Sequence, residues 1–224
     1  RVPLVVRTPM GGRRGYGPTH SQSLEKHLLG APGLRTLAAC APGDPGELLR
    51  TAILRQDDPL LFIEHKALYP LPVVPVGGSG EFRIEQHGEM WPAYRITLDG
   101  APAPVLTLTA YGYMAHLAQQ ALRRLAYERE LFADLVVFTE LSPLHPDLLW
   151  TCAARTRRLL TIEEGTRMLG WGAEVLAQAA EALPGLACGR VAAADLPIPA
   201  AGPLEDAVLP QVEDVMHAAL QLAG

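Results

Sequence analysis

His20 closes a run whose residue types could carry proton chemistry: Gly11-Gly12-Arg13-Arg14-Gly15-Tyr16-Gly17-Pro18-Thr19-His20-Ser21-Gln22-Ser23-Leu24-Glu25. Imidazole titrates near neutral pH, so it can give or take a proton where a reacting carbon needs one. The glycines and Pro18 ahead of it let backbone and ring be pressed against a ligand. Ser21 and Gln22 suit loop support through backbone hydrogen bonds rather than chemistry of their own. The plainer alternative is a loop histidine that caps a helix start or bonds a carbonyl. Glu25 is expected to pair with Arg13 or Arg14, or to face water.

Other polar groups stand at strand ends and turns. Glu64-His65-Lys66 closes a strand, where α/β proteins often present functional groups; a row of charges leaving the sheet is an equal reading. Thr161-Ile162-Glu163-Glu164-Gly165 is followed by Leu169-Gly170-Trp171-Gly172-Ala173-Glu174. Gly170-x-Gly172 lacks the longer dinucleotide fingerprint, so close packing of helix on strand is expected there. Glu205 and Asp206 are adjacent acids that point apart, and both are expected at a surface or an interface. Cys40, Cys152 and Cys188 have no metal-ligand spacing and read as small buried thiols in a reduced, cytoplasmic setting. No metal site is expected in this chain.

Hydrophobic residues make up 49% and charged residues 19%, with a net charge of −5. That supports a sizeable core and argues against a nucleic-acid partner, since phosphate binding needs clustered Lys and Arg. No apolar run approaches the ~20 residues of a membrane span.

The elements that must position these groups alternate between strand and helix. Residues 2–6 read as a buried strand, 23–29 as helical up to the breaker Gly30-Ala31-Pro32-Gly33, and 34–39 as a strand. Asp44 is a helix cap, and Pro45 opens a helix over 45–56 that leads to a strand at 60–64. Punctuation by proline and by Val76-Gly77-Gly78-Ser79-Gly80 marks residues 76–104 as a linker, in which 81–86 and 94–98 can pair as a hairpin. From residue 105 onward strands are expected at 105–109, 134–138, 158–163 and 189–193. Helices are expected at 113–131, 146–154, 173–183 and 212–223. The fold class is α/β, with parallel sheets covered by helices.

Taken together, these motifs resemble the β subunit of the thiamine-diphosphate-dependent 2-oxoacid dehydrogenases. The loop ending in His20-Ser21-Gln22-Ser23 carries the resemblance, with Phe62-Ile63-Glu64-His65-Lys66-Ala67-Leu68-Tyr69 after it. Leu141-Ser142-Pro143-Leu144, the Gly170-Trp171-Gly172 turn and Pro203-Leu204-Glu205-Asp206-Ala207-Val208-Leu209-Pro210 extend it over nearly the whole chain. The resemblance implies that residues 1–75 are the second half of a pyrimidine-binding domain with a partial parallel sheet. It implies a compact transketolase C-terminal-type domain at 105–224.

By the same resemblance, His20 is the catalytic group in a site assembled between two chains, and Tyr16, Gly17 and His20 face thiamine diphosphate. Ser21 and Gln22 then support the loop or the substrate. The family holds the diphosphate and Mg²⁺ on a diphosphate-domain, α-type subunit through a Gly-Asp-Gly motif that does not occur in this sequence. The activating Glu belongs to the first half of the pyrimidine domain, so it is expected on another polypeptide or on a longer chain. Residues 52–58 correspond to a turn whose carbonyls hold a monovalent cation in some members; an extra residue in Leu54-Arg55-Gln56-Asp57-Asp58 departs from that pattern.

The implied function is cleavage of a 2-oxo acid or ketose within a hetero-oligomer. The acyl or hydroxyacyl unit would pass to a lipoyl or carrier-protein thiol on an acyltransferase or acyl carrier protein. Residues 82–98 are inserted relative to ordinary β subunits, which leaves room for a specialised relative. The alternative is a non-catalytic scaffold or interaction subunit. A free-standing Rossmann-type oxidoreductase lacks a complete nucleotide fingerprint.

Overall fold

Apolar β-branched runs broken by caps and glycines become strands and helices in close succession. The computed structural model describes residues 1–78 and 80–224; Ser79, one residue of the turn signal at 76–80, lies outside the described residues. In chain order the elements are β1 (Val5–Met10), α1 (Gly17–His20), β2 (Arg35–Ala38), α2 (Pro45–Arg55), β3 (Leu60–His65), β4 (Phe82–His87) and β5 (Ala93–Leu98). They continue with β6 (Leu106–Tyr111), α3 (Gly112–Arg129), β7 (Ala133–Phe138), β8 (Glu140–Ser142), α4 (Asp147–Thr156) and β9 (Arg158–Thr166). The last four are α5 (Trp171–Ala182), β10 (Ala187–Ala193), α6 (Gly202–Val208) and α7 (Val212–Ala223).

Two sheets result. The first has the order β1-β3-β2-β8, with β1, β3 and β2 parallel and β8 antiparallel on β2. The second has the order β10-β9-β6-β7-β5-β4, parallel from β10 to β7 and antiparallel through β5 and β4. Asp44 caps α2 as expected: its Oδ1 accepts from Gly46 N at 2.9 Å and Glu47 N at 3.0 Å, and Pro45 stands where no N–H is needed.

One face of the larger sheet is covered by α3 and α7, which bring Met114, Leu122, Leu125, Val215 and Ala219 onto Leu108, Leu135 and Val137. Its other face packs Tyr111, Val136 and Phe138 under Leu149 of α4 and Trp171 and Val175 of α5. Met10, Leu61 and Ile63 of the first sheet join that same cluster. The two sheets therefore share one apolar core. A side chain at the end of β1 or β3 is positioned by both.

The hairpin expected within residues 76–104 forms, and it is built into the larger sheet rather than decorating a linker. β4 and β5 do pair with each other, and β5 also pairs with β7, so both are strands of the larger sheet. Alternation turns Ile84 and Ile96 inward, to 1% and 0% exposure, because period-2 side chains on a sheet edge share the face of their neighbours. Arg95 clamps the register with Nε and Nη2 on Asp134 Oδ1 at 3.1 and 3.0 Å.

Other expectations change in detail. The helix over 23–29 shrinks to a single 3-10 turn, Glu25–His27, since so short a segment cannot nucleate alone and Glu25 is drawn inward. Residues 2–6 are not a buried strand: β1 starts at Val5 on the sheet edge and leaves Val2, Leu4 and Val6 exposed. Cys188 is exposed at the start of edge strand β10, whereas Cys40 and Cys152 are buried. β8 and α6 were not foreseen; a three-residue strand shows no period to read.

If the hairpin is part of the core, Ile96→Ala costs about 2–5 kcal/mol, the range for a deleted buried aliphatic side chain. Urea unfolding measures it; a loss within ~0.5 kcal/mol, as for a surface site, would return these strands to a decoration.

Candidate functional site

The site is built where β1 and β3 end beside β9. β1 delivers the chain to Gly11, whose φ of +95° favours glycine; a Cβ there would fall on the His65 ring. The loop N–H groups that follow point at carboxylates from the far end of the sequence. Gly12 N donates to Glu164 Oε1 at 2.8 Å, Arg13 N to Glu205 Oε1 at 2.9 Å, and Gly15 N to Glu205 Oε2 at 3.0 Å.

Glu164, at the end of β9, is the hub. Its Oε1 also accepts from Ser23 Oγ at 3.2 Å, and its Oε2 from Arg13 Nε at 3.3 Å. Ala67 N donates to His65 Nδ1 at 3.1 Å, so the ring proton sits on Nε2 and is donated to Glu164 Oε1 at 2.9 Å. Tyr113 stacks on the His65 ring at 5.0 Å, and the Arg13 guanidinium lies 5.3 Å from the Tyr113 centroid. Burial pushes the Glu164 carboxyl up, but His65, Arg13 and the Gly12 N–H outweigh it and hold the group below its ordinary 4.5.

A second set of buried acids lies next to it. Glu163 is pushed up to about 7 by burial, against the Arg190 guanidinium at 3.1 Å and Gly172 N at 3.0 Å. A Cβ on Gly170 would stand 2.5 Å from Glu163 Oε2, and one on Gly172 2.9 Å from Oε1. The Gly170-Trp171-Gly172 turn therefore seats a carboxylate of the chain itself at the start of α5, where a phosphate would otherwise go. Glu25 is buried and accepts from Tyr111 OH; burial raises its carboxyl despite that bond. It pairs with neither Arg13 nor Arg14 and does not face water. Glu205, expected at a surface or interface, is 3% exposed because the loop covers it.

The residues singled out from sequence divide between two sides of the loop. His20 is exposed at the end of α1, and its carbonyl accepts from Lys66 Nζ. Tyr16 is half exposed, with Lys66 Nζ 5.3 Å and the Arg14 guanidinium 5.9 Å from its ring centroid. Lys66, half-buried, thus links the exposed Tyr16 ring to the backbone of the exposed His20. Gly17 is on the other side: it is buried at φ +65°, and a Cβ would lie 3.3 Å from Ala200 Cβ. Gln22 Nε2 donates to Pro18 O at 2.6 Å, and Gln22 O accepts from Gly11 N at 3.4 Å. Ser21 is buried; its N–H bonds Gly17 O at 3.0 Å, and its hydroxyl has no partner among the described residues.

Sequence reasoning missed the joint roles of Arg13, His65, Glu164 and Glu205. One signal was readable: Glu163 and Glu164 sit inside an otherwise apolar strand, and a buried strand tolerates acids only when they are bonded. Among the described residues no group of three or more His, Cys, Asp or Glu could hold a metal ion.

Because the Glu164 carboxyl sits below 4.5 in the folded chain, its stabilisation is full above pH 4.5 and is lost as pH falls below it. Glu164→Gln therefore costs about 3 kcal/mol at pH 7, as for one partner removed from a buried ion pair. The gap to wild type narrows at pH 3. Denaturant titrations at both pH values test this; an equal gap at both would exclude the ionised carboxylate as the link.

Residues 100–215 match the family described as transketolase, C-terminal domain. Over 230 residues the chain is 32% identical to the pyruvate dehydrogenase E1 component subunit beta-1, mitochondrial, of Oryza sativa subsp. japonica, covering 97% of this chain and 57% of that one. Over 184 residues it is 35% identical to the 2-oxoisovalerate dehydrogenase subunit beta of Pseudomonas aeruginosa, covering 78% and 51%. The chain thus spans little more than half the length of these relatives. A solved split gene transketolase, an inactive beta4 tetramer, superposes with a TM-score of 0.70 at 20% identity over 98% of this chain and 66% of that one, a likeness of fold. The chain belongs to the transketolase C-terminal domain family and is homologous to the β subunits of pyruvate and 2-oxoisovalerate dehydrogenases.

Proposed function

We propose that this chain is the β-type component of a thiamine-diphosphate-dependent enzyme that cleaves a 2-oxo acid or ketose beside its carbonyl and works only with other polypeptide. One observation carries the reading. The glycine loop is held from beneath by buried acids and leaves His20, Tyr16 and Arg14 exposed, with the Lys66 head against the Tyr16 ring and the His20 carbonyl. An imidazole, an aromatic ring and two cationic heads suit a heteroaromatic cofactor and an anionic 2-oxo acid better than they suit a polar surface without a ligand.

The cofactor supplies the carbanion-stabilising ring when bound. His20 gives or takes the proton at the reacting group, a task that needs a titrating side chain near neutral pH on an accessible face. Lys66 and Arg14 draw the substrate carboxylate toward that face, and Tyr16 offers a flat apolar wall. Gly17 and Ser21 support the loop from its buried side. The diphosphate and Mg²⁺ belong to an α-type partner, a reading that rests on the homology to E1 β subunits.

The acyl unit passes to a lipoyl or carrier-protein thiol, and the assembly is a hetero-oligomer; both rest on the homology to E1 β subunits. Three free cysteines fit a reducing compartment, and we place the chain in the cytoplasm on that ground. No helix among the described residues is long and apolar enough to cross a membrane.

With an α-type partner supplied, His20→Ala lowers turnover by roughly 10²–10⁴, the usual effect of a lost acid/base group. Size-exclusion chromatography should show the assembly intact. Unchanged turnover would favour the scaffold reading.

A further inference from the structure

We propose that Glu205 is a positioning residue for His20, acting through the glycine loop from the opposite unit of the fold; the proposal rests on the reading of His20 above. The loop between Gly11 and Gln22 has few bonds of its own: Gly11 N to Gln22 O, Ser21 N to Gly17 O, Gln22 Nε2 to Pro18 O and a long Thr19 Oγ1 to Tyr16 O. Glycine-rich backbone loses the most freedom on ordering, so such a loop needs anchors outside itself.

Lys66 holds the His20 carbonyl and Glu164 the near end of the loop, while the middle, from Gly12 to Gly17, rests on one stretch of chain. Ala200 lies under Gly15 and Gly17, where added Cβ atoms would meet its O at 3.2 Å and its Cβ at 3.3 Å. Leu209 fills the space under Gly12. Between them Glu205 takes Arg13 N on one carboxylate oxygen and Gly15 N on the other, at 2.9 and 3.0 Å. Both bonds are charge-assisted, and together they define the orientation of the backbone one residue before Tyr16.

The shelf at 200–209 thus sets the direction in which α1 leaves the loop, and α1 ends on His20. Glu164 holds the near end of the loop through Gly12 N and Arg13 Nε, and is committed to His65 and Ser23 as well. Glu205 binds only loop N–H groups through its side chain and leaves β1 and β3 alone. It sets geometry without touching substrate.

The test combines amide hydrogen exchange with a double-mutant cycle. In Glu205→Ala, exchange at residues 12–15 should rise at least ~10-fold while the amides of α3 and β7 keep their protection. In the assembly with the α-type partner, supplied with pyruvate or 2-oxoisovalerate, kcat should fall roughly 10–100-fold, the scale of an ångström-level misplacement. KM should change little. On a His20→Ala background, Glu205→Ala should cause no further loss, which a merely structural defect would.

Glu205→Gln keeps one acceptor oxygen and should fall between wild type and alanine; it also serves if the alanine variant does not fold. Unchanged exchange at 12–15, or losses that multiply in the double variant, would overturn the proposal. If His20→Ala lowers turnover and Glu205→Ala does not, this inference alone fails. If His20→Ala leaves turnover unchanged, the functional reading falls and takes this one with it.

Discussion

A single buried carboxylate, Glu164, ties the two halves of the fold together. It accepts from the Gly12 N–H, from Arg13, from Ser23 and from His65, so both the loop after β1 and the end of β3 are bonded to β9. An ionised group is kept inside only where donors surround it, and here four donors converge. The loop cannot swing away without leaving that charge unpaired. A flexible run of glycines is thereby held to one shape.

The neighbouring acids obey the same constraint in different ways. Glu163 sits against the first turn of α5 with Arg190 beside it, and Gly170 and Gly172 are small so that its carboxylate can fit. Burial raises the Glu25 carboxyl, and the Tyr111 hydroxyl donates to it. Gly11 lacks a side chain because the His65 ring occupies the space where one would lie. Gly11, Gly170 and Gly172 each make way for a polar side chain that must come close, whereas Gly12 and Gly17 let the loop settle on Leu209 and Ala200.

Rigidity beneath and openness above give the site its character. The buried side of the loop is bonded to the larger unit, while Tyr16, His20 and Arg14 stay exposed. The acid/base role proposed for His20 needs both, a fixed backbone to place the imidazole and an uncovered approach to it.

The α/β class, the position of most strands and helices, the Asp44-Pro45 helix start and the special character of the loop before His20 were all readable from local signals. They depend on period, capping and backbone freedom, which neighbours in sequence determine by themselves. The membership of β4 and β5 in the larger sheet, the short strand β8, the burial of Glu25 and Glu205, and the pairing of His65 with Glu164 were not readable. Those bonds join residues more than 80 positions apart in several cases, as between Tyr111 and Glu25 or Arg13 and Glu205. An acid in a sequence shows only that it must be hydrated or bonded. Which donors reach it is decided when the sheets close over it, because only then is water excluded and the partner chosen by distance.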